Sequence, residues 1–105
     1  MTVRTTTRGY RSAEKIARAI ESRENFATSG ALCGEARPHY DKYVIWSYNE
    51  PIAVIRHGKR AIVSDYRHSA TTSRHRGHVL AALRDIDGMV IDHVGERITS
   101  DGQVR

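Results

Sequence analysis

KYVIWSYNEPIAVIRHGKRAIVSD, residues 42–65, decides the fold. It divides into KYVIWSY (42–48), PIAVIRH (51–57) and RAIVSD (60–65), each rich in the β-branched and aromatic residues that suit a pleated, half-buried surface. Asn49-Glu50-Pro51 marks a turn after the first run and Gly58-Lys59 a turn after the second. Gly58 can take the positive φ that a two-residue hairpin loop needs, and Pro51 fits the start of a strand, where its missing N–H matters least. The stretch therefore predicts an antiparallel meander. Alternation puts Val44, Trp46 and Tyr48 on one side of the first strand and Tyr43, Ile45 and Ser47 on the other.

Two helical patterns flank this sheet. Ser12 can cap a helix over 12–23, with Ala13, Ile16, Ala17 and Ile20 on one face and Glu14, Lys15, Arg18 and Glu21 on the other. A second helix, over 73–87, has Val79, Leu80, Leu83 and Ile86 as its apolar positions and stops at Asp87-Gly88. Between the first helix and the meander, Phe26 to Leu32 reads as one short edge strand, weakened by its glycine. Met89-Val90-Ile91 can add a last strand. The expected fold is α+β: an antiparallel β-meander of three to five strands with two helices packed on one face. Residues 12–94 form the domain, 1–11 a flexible basic arm and 95–105 a polar tail. So small a core is also compatible with a homodimer through a sheet edge or the open face.

The chain has 105 residues, of which 39% are hydrophobic and 28% charged, enough for one core and not for two. A single cysteine, Cys33, excludes an internal disulfide framework and suits a reducing cytoplasm. No apolar run approaches a membrane span, so no membrane partner is expected.

The net charge of +5 is concentrated. Arg56, Lys59, Arg60, Arg67, Arg74 and Arg76 stand against Asp65 alone between residues 56 and 78, so six positive charges less one make +5 there and the remainder sums to zero. An anionic partner, most simply nucleic acid, follows as the expectation, with His78 on the same polar helix face as Arg74. Thr71, Thr72 and Ser73 can cap the second helix, either as a structural end or as donors to an anion. His75 lies one turn before Val79 and reads as structural.

Chemistry beyond binding finds little support. His75-x-x-His78 has no cysteine pair or nearby carboxylate to complete a metal site, and Cys33 sits in no nucleophile motif. No catalytic residue, metal or cofactor is assigned. Among the aromatics, Trp46 and Tyr48 could stack bases if they lay on an open sheet face, although the need for large side chains in a small core argues for Trp46 beneath a helix. Tyr43, Trp46 and Tyr48 are alternatively anchors for a protein partner.

The segments TTTRGYRSAEKIARAIESRENFATSGAL (5–32), YVIWSYNEPIAV (43–54) and YRHSATTSRH (66–75) resemble small proteins of unknown function from tailed phages that infect actinobacteria, mycobacteriophages especially. Ser69, Thr71, Thr72, Ser73 and His75 match that family's block, whereas His68, Ala70 and Arg76 depart from it and make this copy more basic. The resemblance implies a phage gene product acting in the host cytoplasm, and it brings no catalytic residues. A non-enzymatic accessory protein that binds nucleic acid is the resulting expectation, with a host bacterial protein as the alternative partner.

Overall fold

In a computed structural model of the chain, residues 5–7, 13–28, 32–37, 42–56, 58–66, 70–99 and 103 are described. The elements are β1 (Thr5–Thr7), α1 (Ala13–Ser22), β2 (Phe26–Thr28), β3 (Leu32–Arg37), β4 (Lys42–Ser47), β5 (Glu50–Arg56), β6 (Arg60–Ser64), α2 (Ala70–Arg84) and β7 (Val90–Val94). They form an α+β fold with one sheet in the order β1-β2-β3-β4-β5-β6-β7. The meander expected at residues 42–65 is its centre. Two expectations need correction. The sheet has seven strands, because Phe26 to Arg37 supplies two and Thr5–Thr7, in the stretch expected as a flexible arm, pairs at the edge, and it is mixed, because β1 pairs with β2 and β6 with β7 in parallel.

Those two parallel edges explain the helices. A parallel neighbour needs a crossover connection, and α1 and α2 are the two crossovers. Strands β2 to β6 alternate in direction, so β1 and β6 point the same way and both crossovers step toward the next strand. With the usual right-handed crossover, both helices fall on one face. The core agrees: Ile16 and Ile20 of α1 and Val79, Ala82 and Leu83 of α2 gather with Tyr43, Ile45, Ala53, Ile55, Ala61 and Val63 of the sheet, all buried.

The opposite face holds a much smaller cluster, Val44, Val54 and Ile98, with Trp46 and Ile62 half-buried against it. Trp46 is thus on the face away from the helices, not beneath one. The segment read as a polar tail contributes Ile98, which is 3% exposed. Its neighbour Glu96 is tied to the sheet by the Ser64 hydroxyl, which donates to its carbonyl at 2.6 Å.

Local corrections have local causes. The first hairpin turns at Tyr48-Asn49, with Ser47 paired to Glu50, so Glu50 and Pro51 already belong to β5. Tyr48 takes φ 57, a conformation that a bulky residue adopts only under constraint. One residue later the register shifts: Ile45 pairs with Ala53 and Trp46 with Pro51, leaving Ile52 as the extra residue of a bulge. The bulge lets Ile52 join the helix-side core beside Ala53. In the second hairpin the last pair is Arg56 and Arg60, so the turn is longer than the expected two residues, with Gly58 at φ 73. Gly34 lets the Phe26 and Tyr43 rings close over it, with centroids 6.5 Å apart, where a Cβ would collide with both.

Helix α1 ends with Arg23 at φ 57, its N–H bonded to Ile20 O and the Glu24 N–H to Ala19 O. This is a Schellman end with arginine where glycine is usual. The Arg23 guanidinium offsets the strain by donating to the carbonyls of Ile55, Arg56 and Gly58. Helix α2 starts at Ala70, three residues earlier than expected, so Thr71, Thr72 and Ser73 lie inside its first turn and none is its cap. The Ser12 cap lies outside the described residues.

Candidate nucleic-acid interface

Pairing registers turn the open face into rows across the strands. Nearest the β5–β6 hairpin, Arg37 pairs with Lys42 and Arg56 with Arg60, and β4 pairs with β5 next to Lys42 and Arg56 through Tyr43 and Ile55. Lys42, Arg56 and Arg60 alternate in phase with Val44, Val54 and Ile62 on their own strands, and Arg37 with Glu35, the partner of Val44, so all four face away from the helices. Four cations therefore stand side by side on four adjacent strands, about 14 Å from first to last at a strand spacing of ~4.8 Å. The next row reads Glu35, Val44, Val54, Ile62 and Asp92. Its two carboxylates hold the ends of the cationic row: Arg37 Nη2 lies 2.9 Å from Glu35 Oε1 and Arg60 Nη2 3.4 Å from Asp92 Oδ2.

Directly opposed like charges destabilise a sheet by roughly 0.2–1 kcal/mol per pair. Here they recur from strand to strand. Moreover, the Nε atoms of Arg37 and Arg56 are buried with no hydrogen-bond partner among the described residues. Buried donors without partners are uncommon and point to something that completes them. A line of anions one charge wide would remove the repulsion.

The other expected contacts are scattered. Lys59 sits at the hairpin tip, where its Nζ donates to Asp87 O at 2.6 Å and fastens the loop to the turn after α2. Arg74 is exposed on α2, on the helix side of the sheet, while Arg76 is half-buried there with Nη1 3.5 Å from Tyr66 O. His78 is half-buried on the same helix. Arg67 lies outside the described residues. Arg56 and Arg60 are thus the two of the expected set that the fold brings together, and Arg37 and Lys42 join them from strands where the sequence showed no charge cluster. Hairpin symmetry was the available signal: once a turn is placed, residues at equal distance from it face each other.

At the far end of the sheet, Ser47 Oγ lies 2.6 Å from His75 Nδ1 and donates to Thr72 Oγ1 at 3.0 Å. All three side chains are buried. Thr72 and His75 thereby dock the start of α2 onto the end of β4, and the exposed Tyr48 ring covers His75 with centroids 5.9 Å apart. Beside this joint opens a cleft of about 610 Å³ whose walls include Tyr48, Glu50, Arg97 and Thr99. Arg97 there lies 3.7 Å from Glu50 and stacks over Tyr66 at 4.5 Å. Of the aromatic anchors, Tyr43 is fully buried and donates its hydroxyl to Glu24 O at 2.6 Å, so it is unavailable to a partner. Burial pushes its phenol far above the usual range.

No helix among the described residues is long and apolar enough to cross a membrane. No curated protein and no solved structure matches the chain. Residues 4–91 match the model of a family of unknown function, DUF8033, and the chain belongs to that family.

Proposed function

We propose that this member of DUF8033 is a non-enzymatic nucleic-acid-binding protein whose contact surface is the open face of its sheet. One observation carries the reading: Arg37, Lys42, Arg56 and Arg60 form a single line across four strands on the face away from the helices. Phosphate oxygens suit guanidinium and ammonium groups, because a charge-assisted hydrogen bond is about twice as strong as a neutral one. The resemblance to phage proteins gives the setting we propose, a phage accessory protein acting in the cytoplasm of a bacterial host. The Ser47–His75 contact serves docking in this reading.

Binding of the full chain to a generic oligonucleotide, followed by anisotropy at low and moderate salt, tests it. Salt-sensitive binding that Arg56→Glu abolishes is expected. Binding absent at low salt, or unchanged by Arg56→Glu, would overturn the proposal. A second reading, a host protein as partner, draws on the 58% exposure of Tyr48 beside the cleft. It predicts a protein captured from host lysate that survives nuclease and is lost on Tyr48→Ala.

A further inference from the structure

We infer, resting on the open-face reading above, that the nucleic acid is single-stranded, its backbone lying across the strands along the cationic row and its bases turned toward Trp46. Among the described residues the row is one charge wide. Along the strands, the neighbouring row ends in Glu35 and Asp92, so a second line of phosphates laid parallel to the first would meet carboxylates at both sides. A duplex presents two such lines flanking a groove, and a flat sheet face offers no element to enter it. A single strand needs only one line, together with somewhere to lay its bases.

The open face supplies that surface. Between the carboxylates lie Val44, Val54 and Ile62, covered in part by Ile98, and the half-exposed members of this patch are Ile62 and Trp46. Trp46 packs against the cluster that separates it from the cations, so a base turned off the row passes over Ile62 toward the indole. Aromatic faces stack any base, whereas hydrogen-bond readout needs an ordered groove. Trp46 is also the sole tryptophan of the chain, which makes it a built-in reporter.

The test uses the full chain with a short single-stranded DNA, the same sequence as RNA, and the DNA duplex, reading anisotropy and tryptophan fluorescence together. Tighter binding of a single strand of either sugar than of the duplex, by about tenfold, with quenching of Trp46, is expected from one base–aromatic stack. Trp46→Phe should keep most of the affinity and Trp46→Ala lose about tenfold for the single strand alone. Equal or tighter duplex binding without quenching overturns the inference and leaves the phosphate line standing. Absence of salt-sensitive binding to all three polymers overturns both.

Discussion

The two faces of this sheet are built to different ends. The helix-covered face gathers seventeen buried residues into one continuous core and satisfies its buried polar groups, with Ser47, Thr72 and His75 bonded together and the Tyr43 hydroxyl on Glu24 O. Among the described residues, the open face has three buried apolar residues and, beside them, four aligned cations with two unpartnered buried nitrogens. The first face resolves its conflicts internally; the second sets like charges side by side, with carboxylates at the two ends of the row. Stability and recognition are divided between the two sides of the same strands.

Truncation should expose that division most strongly at Leu83, which is fully buried under the helix-side core. Leu83→Ala is expected to lower unfolding free energy by about 2–5 kcal/mol in chemical denaturation. Ile98→Ala, in the three-residue cluster opposite, should fall at or below the low end of that range. A larger loss at Ile98 would mean that the open face carries the fold.

Ser47→Ala comes next, with an expected loss of about 1–3 kcal/mol because it leaves the His75 nitrogen without its buried partner. A neutral result would show the joint at the start of α2 to be dispensable.

Alkaline pH sharpens the contrast through Tyr43. Its phenol is held protonated by burial, while in the unfolded chain it ionises near pH ~10. Above that pH the unfolded state binds fewer protons than the folded one, so stability should fall by up to ~1.4 kcal/mol per pH unit until the folded value is reached. The contribution is fully present below pH ~10. Tyr43→Phe should flatten that part of the profile, measured as the denaturation midpoint against pH. A wild-type profile identical to that of the variant would contradict the buried environment.

The smallest effect is also the most diagnostic of the open face. Arg56→Thr removes a cation from between Lys42 and Arg60 and keeps a good strand former, so it should leave stability unchanged or raise it by a few tenths of a kcal/mol. A clear destabilisation would mean that Arg56 is a structural residue.

How much of this was legible beforehand depends on whether a feature was local. The central strands, the two helices and their common face followed from runs such as YVIW and from the spacing of Ile16, Ile20, Val79 and Leu83. The parallel edges did not, because nothing within Thr5–Thr7 or Val90–Val94 states which way a neighbour runs. Size alone puts Trp46 in the core, whereas strand alternation gives the helix side to Tyr43 and Ile45 and leaves Trp46 on the other face. The basic segment misled most. Charges of the one basic segment, Arg56 and Arg74, went to opposite sides of the sheet, and Arg37, outside that segment, was aligned with Arg60 by strand pairing.

The salt dependence of oligonucleotide binding compares the two faces most directly. Affinity should be measured across a salt series for the wild type, an Arg37→Ala/Arg56→Ala double variant and an Arg74→Ala/Arg76→Ala double variant. Loss of two phosphate contacts lowers the slope of log affinity against log salt by about 1.4 on a single strand. The account predicts that fall for the open-face pair and an unchanged slope for the helix pair. A fall confined to the helix pair, or a slope that neither pair alters, would contradict it.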